Sequence, residues 1–579
     1  MRRTNELLNA DGQSRINRKN EMPFCAASHC RRLFVAVTLL ICNATTPLLA
    51  EHVVTADVVI YGGTSAGIAA AIQVARQGKR AVLIEPTTHL GGLTTSGLGF
   101  TDSGDKRVVG GLAREFYQRI KRHYDQEAAW RFEQAAQYPR YRPNADAMWT
   151  FEPHVANDVF RAWLAETNVT VVLQQPLDRK LGVQREGNRI VSVATRGGTI
   201  YVAKMFIDAT YEGDLMAAAG VSYVVGREGN SVYGETLNGS QPLENKYNHR
   251  FLQSVDPYRI PGDVTSGLVA GIQSQGIAPV GTGDRRIQAY CFRMCMTKLA
   301  ANRVPFPKSA DYDESEYELL LRAMEAGDLR LPFSPDMMPN GKTDTNNLGA
   351  MSTDYIGMNY DYPEADDARR AEIVAQHRNY QQGLMWTLTH HPRVPQQVRQ
   401  AMEPWGLAAD EFIDNYHWPP MLYIRESRRM VSDYVMTEHD CRRQRIVTDS
   451  VGLGSYNMDS HNVQRYVTAD GHVQNEGDVQ VSPGGAYLIS YRSIVPRRDE
   501  VGNLAVPVCL AASHIAYGSI RMEPVFMVLG QSAATAACLA IDDELSLAEL
   551  PYERLRLQLL KDQQVLELPT GQGSEGGNG

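Results

Sequence analysis

The sequence predicts an α/β fold: a Rossmann-like nucleotide-binding domain that carries a large inserted α+β domain. Three features predict it. A strand, glycine turn, helix and strand follow one another over 57–85; an apolar strand and a long small-residue helix occupy about 503–541; and the chain between about 229 and 484 loses that pattern. The 579 residues, 43% hydrophobic and 21% charged, suit a soluble globular chain with more than one packed region. A net charge of −8 without a long basic run argues against a nucleic-acid partner.

The first 50 residues read as a signal peptide and leader. "LFVAVTLLIC" (33–42) follows Arg31-Arg32 and is too short to cross a bilayer, which takes about 20 apolar residues. Cleavage near Glu51 would leave Ala50 at −1 and an imperfect Leu48 at −3. The arginine pair reads equally as an ordinary basic n-region or as a twin-arginine export signal with Cys30 in place of the usual Ser or Thr. Either route sends the protein to the periplasm or outside the cell. Of eight cysteines, Cys25, Cys30 and Cys42 fall in this leader; the other five are too scattered for a disulfide framework. Cys291 and Cys295, four apart, are expected to pack one helical turn apart.

In "DVVIYGGTSAGIAAAIQVARQGKRAVLIE" the β-branched run at 58–61 meets Gly62, helix formers continue to Gly78, and a second strand ends at Glu85. Gly62 suits the tight turn and Gly67 the close helix–strand contact. The glycine that normally admits the pyrophosphate is replaced by Thr64, flanked by small Gly63, Ser65 and Ala66, which predicts a hydroxyl near the phosphate. The helix N-terminus still offers free N–H groups to an anion, and Glu85 is placed to accept from ribose hydroxyls.

Beyond Glu85 comes "PTTHLGGLTTSGLGFTD", in which Gly91-Gly92 stands where flavin enzymes bring a second loop to the pyrophosphate. With "YGGTSAGIAAA", "FIDATYEGDLMAAAGVSYVVGRE" (206–228), "AYCFRMC" (289–295), "KTDTNN" (342–347), "YIRESRRM" (423–430), "GSYNMDSHNVQR" (454–465) and "YRSIVPRRDEVGNLAVPVCLAASHIAYGSIRMEPVFMVLGQSAATAA" (491–537), the chain resembles the FAD-dependent oxidoreductase family of glutathione-reductase-type flavoproteins. The bacterial branch it resembles opens YGGTxAGIAAA, and some of its members carry a xanthan-lyase label. The resemblance implies an FAD-binding domain in two parts, 51–228 and 485–545, around an inserted substrate domain at 229–484. A C-terminal helix and disordered tail would fill 546–579. It also implies cofactor contacts from Asp208, where a strand ends in small residues, and from Gly530 and Gln531 in the long helix. The start of that helix faces the flavin in the resembled family, so its positive end can stabilise the reduced ring.

Helices are expected at 154–167, 311–327 and 364–389, and a strand in "VTVVLQ". Asp459 and His461, two apart, share one face if extended; a carboxylate-held histidine can take the proton when an alcohol or amine is dehydrogenated. Arg521 could stabilise reduced flavin or hold a substrate carboxylate, or could instead pair with Glu523. His514, Tyr491 and Arg492 complete the catalytic candidates, while "RESRR" reads equally as a solvated charged face. No metal-ligand set stands out. No cysteine pair follows Gly91-Gly92, and neither "GTGDRR" nor "GLGSYN" makes a second dinucleotide site. The expectation is therefore an exported FAD enzyme that takes hydride from a small polar or carbohydrate-like substrate and passes electrons to a separate acceptor. The alternative is a flavin-containing polysaccharide lyase or hydrolase without net redox turnover; a non-catalytic binding protein ranks below both.

Overall fold

A computed structural model of the protein describes residues 52–569 apart from 243, 245 and 246. The leader and the glycine-rich tail from 570 lie outside the described residues. Strand β1 (His52–Thr55) is followed by β2 (Val58–Tyr61), whose four residues are all buried. Burial on both faces is what an unbroken VVIY run is suited to in a parallel sheet covered by helices. Helix α1 (Ser65–Arg76) then crosses to β3 (Ala81–Ile84), which pairs in parallel with β2 from Val58↔Ala81 to Tyr61↔Ile84. Gly78, at φ +73°, makes the turn between them.

Helices α2 (Gly111–Tyr124) and α3 (Pro153–Ala165) precede β4 (Thr170–Val172), the edge partner of β3. An antiparallel meander of β5 (Val183–Glu186), β6 (Arg189–Ala194) and β7 (Thr199–Val202) returns the chain to β8 (Met205–Asp208), and β1 runs parallel along β7. The nucleotide sheet is entirely parallel, in the order Leu504–Ala505, β8, β2, β3, β4. It is the Rossmann-like arrangement that the sequence predicts. Only Leu504 and Ala505 of "NLAVPVCLAAS" join it. Pro507 has no N–H for a ladder, and Val506 and Ala511 donate instead to Ile494 and Ser493.

The intervening chain contributes a five-stranded antiparallel sheet built on the Phe333–Met338 and Lys342–Asn347 hairpin, the helix Asp367–His390, and short strand pairs including Met458–Ser460 with Val479–Val481. It packs with the nucleotide fold inside one unit, 51–579. The segment at Cys291–Cys295 is extended rather than helical: Cys291 bridges to Tyr423, and both thiols are free and buried. Its backbone is held by neighbouring extended chain and by Gln381, which bonds both the N–H and the carbonyl of Phe292.

Helix Glu523–Asp542 is the one described helix long and apolar enough to cross a bilayer, but it runs through the core. It lies along α1, and a side chain at Gly530 would run into the Ala66 carbonyl. Small residues on both helices are what permit this approach.

Candidate functional site

The sharp turn after β2 depends on Gly62, at φ +107°, where a Cβ would stand 2.7 Å from the Ala209 carbonyl carbon. At Gly67 a Cβ would strike the Gly62 oxygen. Thr64 is the N-cap of α1: its hydroxyl accepts from the Gly67 N–H (3.2 Å) and donates to the Ala209 carbonyl (2.7 Å). That hydroxyl is thus engaged in holding the turn, which explains how the motif keeps its shape without its middle glycine. The Ser65 and Ala66 amides lie in the first turn, ahead of the helix's own ladder, and no acidic residue occupies that turn.

Glu85, at the end of β3, accepts from the Gly63 N–H (2.8 Å), the Thr87 N–H (2.8 Å) and the Thr87 hydroxyl (2.6 Å); burial pushes its pKa up. Gly91 donates to the Gly63 carbonyl at 2.7 Å, which lays the diglycine loop against the first turn. Both Gly91 and Gly92 have left-handed φ, and a Cβ on Gly92 would overlap the Tyr211 hydroxyl. Asp208 closes its own turn, accepting from the Thr210 N–H and hydroxyl and the Met216 N–H; burial raises its pKa to about 6. Gln531 accepts from the Leu112 N–H at 2.7 Å and so joins the long helix to α2.

Glu523 enters from the first turn of the long helix. It accepts from the hydroxyls of Ser65 (2.7 Å), Thr94 (2.6 Å) and Tyr211 (2.8 Å), and burial raises its pKa. Three hydroxyl donors thus converge on this carboxylate where two helix N-termini meet. With Glu85, the open backbone of Gly91-Gly92 and the acid-free first turn of α1, the residues present fit an adenine dinucleotide.

Beside Glu523 lies a small cavity of about 20 Å³, walled by Thr94, Leu98, Phe100, Thr101, Asp102, Tyr117, Phe151, Tyr423, Arg521 and Met522 as well as Glu523 itself. Arg521 donates to the Tyr423 hydroxyl (3.0 Å), the Asp459 carboxylate (3.0 Å) and the Gln288 amide oxygen (3.3 Å), leaving its Nε without an acceptor. Arg521 therefore pairs with Asp459, not with Glu523. His461 stands behind this pair, with Nε2 3.2 Å from Asp459 and Nδ1 3.2 Å from Asp354, which is itself bound to Arg425 at 2.7 Å. Burial opposes ionisation of Asp459, but His461 and Arg521 outweigh it and hold its pKa at about 2; Arg425 and His461 likewise outweigh burial at Asp354 and hold its carboxyl well below the usual carboxylate range.

His514 is 2% exposed, with Nδ1 2.8 Å from Glu426 and Nε2 3.1 Å from the Ser460 hydroxyl. Gln288 links the two clusters, donating to Glu426 (3.0 Å) while its oxygen receives Arg521 and the His461 N–H. Tyr491 and Arg492 are elsewhere, on a second cavity with Asp449 and Tyr552; Tyr491 donates to the Leu547 carbonyl and Arg492 to Asp449. "YIRESRRM" is not a solvated face. Arg425, Glu426, Arg428 and Arg429 are buried, held by Asp354, His514, Asp214 and Glu228. Glu152, His154 and Glu411 lie close enough to share a metal ion. The Lys342 ammonium already engages the two glutamates, bonding Glu152 (2.8 Å) and Glu411 (2.7 Å) together with Asp410 (2.8 Å).

Sequence reasoning missed Glu523, Asp102, Asp354, Gln288 and Tyr423 as members of this region. Asp102 closes the quoted "GLGFTD" block and Glu523 opens "EPVFMVLG", so both lay inside resembling segments; nothing local marks Asp354 or Gln288.

A parallel Rossmann sheet, a glycine turn, a diglycine loop and an acid at the end of β3 define a flavoprotein of the dinucleotide-binding class. The particular family follows from the whole chain: residues 57–559 match the FAD dependent oxidoreductase family, to which the protein belongs, and FAD is its cofactor. No curated protein is significantly similar in sequence. Among solved structures, L-proline dehydrogenase from P. horikoshii is similar at 16% identity over 30% of this chain and 58% of that one (TM-score 0.22). The 3-ketosteroid-Δ4-(5α)-dehydrogenase from Rhodococcus jostii RHA1 is similar at 17% over 31% and 50% (TM-score 0.19), and L-amino acid deaminase from Proteus vulgaris at 15% over 31% and 53% (TM-score 0.22). This chain spans less than two thirds of each.

Proposed function

We propose that the enzyme, an FAD-dependent oxidoreductase, dehydrogenates a small polar substrate that binds against the wall of the cavity beside Glu523. The observation that carries this reading is the wall itself, which combines Arg521, Tyr423, Asp102 and Thr94 with Leu98, Phe100 and Phe151. Sites with a few convergent polar groups on an apolar lining orient one small molecule. FAD supplies the hydride acceptor. The first-turn amides of Ser65 and Ala66, with Gly62, Gly63, Gly67 and the Gly91-Gly92 loop, hold its pyrophosphate, and Glu85 its ribose hydroxyls. Thr64, Asp208, Gly530 and Gln531 shape that seat through the turn, strand-end and helix contacts described above.

Arg521 fixes the polar end of the substrate. His461 contacts Arg521's partner Asp459 and does not line the cavity, so it acts on the site through Asp459 as a positioning and charge-balancing residue; His514 supports the same network through Ser460. Sugar-like compounds remain within the proposal. So do export, argued from residues 31–42, and an external electron acceptor such as oxygen, a quinone or a carrier protein. A lyase or hydrolase acting on polysaccharide is less well supported, since the cavity is small and the Ser460–His514–Glu426 chain is buried.

Anaerobic mixing of the FAD-loaded protein with small alcohols, amines and sugars tests the proposal. A substrate bleaches the flavin absorbance, and air or a quinone restores it. Product formation with no bleaching and no acceptor requirement would overturn it.

A further inference from the structure

Among the described residues, Asp102 is the one cavity-wall carboxyl with an oxygen that no protein donor reaches. Its Oδ1 accepts from the Tyr456 hydroxyl at 3.0 Å, whereas Oδ2 receives no hydrogen bond among the described residues, and Asp102 lines the cavity together with Arg521. Glu523, the other acid on that wall, is saturated by three hydroxyls, and Asp459 is held by Arg521 and His461 behind it. Backbone and neighbours fix Asp102 in place: Thr101 donates to the Trp149 carbonyl, and Ser455 donates to the Ser103 carbonyl.

We propose that Asp102 is the group that takes the substrate's proton in the dehydrogenation assigned to this cavity, an inference that rests on that assignment. The substrate C–H breaks and its hydride, carrying both electrons, passes to oxidised FAD. The adjoining O–H or N–H breaks and its proton moves to Asp102 Oδ2, and a C=O or C=N bond forms. A base must lie within hydrogen-bond reach of the proton it removes; Asp102 lines the cavity, whereas His461 stands behind Asp459 and does not. Its environment also suits the role. Burial raises its pKa, and Asp459 pushes the same way; Arg293, Tyr456 and Arg521 oppose them. Glu523, Tyr117 and Tyr423 complete the titratable wall. A carboxyl tuned upward in a cleft holds a proton more readily than an exposed one.

Sulfite provides a substrate-independent test because it adds reversibly to oxidised flavin and bleaches it. The FAD-loaded wild type, Asp102→Asn and Tyr456→Phe are titrated with sulfite across pH. In the wild type, ionisation of Asp102 opposes the incoming anion and weakens sulfite binding by about tenfold beyond the change sulfite's own titration causes. Asp102→Asn removes that step. Tyr456→Phe keeps it but moves it to higher pH, because the carboxylate loses its hydroxyl donor. Superimposable wild-type and Asp102→Asn profiles, or an unmoved step in Tyr456→Phe, would overturn the role of Asp102 while leaving the flavoenzyme reading intact. A wild type that holds FAD but never bleaches with sulfite or with any candidate substrate would sink both.

Discussion

The Glu523 carboxylate meets the Ser65 hydroxyl at 2.7 Å across 458 positions of sequence. The contact ties the first turn of the last long helix to the first turn of α1, with Thr94 and Tyr211 bonded to the same carboxylate. Glu523→Ala strands three buried hydroxyls. It should lower stability by roughly 2–4 kcal/mol, at about 1–3 kcal/mol for each uncompensated group with partial relaxation. Flavin should also be lost on gel filtration. Thermal melting and the flavin-to-protein absorbance ratio measure the two effects, and a variant that keeps both would show that the carboxylate does not organise this junction.

Asp459 gives the protein an acid-sensitive element. Its folded pKa of about 2 lies below the ordinary value of 3.8. The ionised form is thus favoured in the folded state, and the contribution is complete above the ordinary value. It is lost as pH falls from about 4 to 2, and amounts to about 2 kcal/mol. Asp459→Asn should flatten this limb of an acid denaturation curve, monitored by tryptophan fluorescence. It should also leave Arg521 without its carboxylate.

Lys342 is fully enclosed by Glu152, Asp410 and Glu411. Removing one member of a buried charge cluster leaves the others uncompensated, at a cost of roughly 3–5 kcal/mol. Lys342→Met should therefore shift a urea midpoint strongly downward, whereas added zinc or magnesium should not raise the midpoint of the wild type. Metal-dependent stabilisation of the unaltered protein would contradict the ammonium's place in this cluster.

Thr64 and Gly67 should respond very differently to small changes. Thr64→Ala removes an N-cap, costing about 1 kcal/mol, and should retain FAD. Gly67→Ala puts a Cβ onto the Gly62 carbonyl, which the turn can accept only by opening, so cofactor retention should fail. Equilibrium FAD binding followed by fluorescence quenching separates the two.

The parts of the fold legible in the sequence are those written in adjacent residues. "VVIYGG" through "VLIE" contains its own strand periodicity, turn glycines and helix formers, and the structure forms β2, α1 and β3 there. Asp459 and His461 were likewise readable as a pair, since a strand sets both on one side. The partners that complete the site come from distant segments: Asp354 reaches His461 over 107 positions and Gln288 reaches Arg521 over 233. No local spacing encodes such meetings. "RESRR" shows the same limit from the other side, because charge alone suggests solvent unless the partly buried counter-charges Asp214 and Glu228 are known.

The strand Leu504–Ala505 joins the nucleotide sheet against β8, although almost three hundred residues of chain separate the two. During synthesis, therefore, the free edge of β8 waits for nearly the whole polypeptide to leave the ribosome. Such long-range closure is slow, and an unpaired edge is prone to pair with other chains. Truncations that stop short of residue 504 should accumulate as chaperone-bound or aggregated species, and attempts to express the N-terminal half as an independent nucleotide-binding module should fail for the same reason.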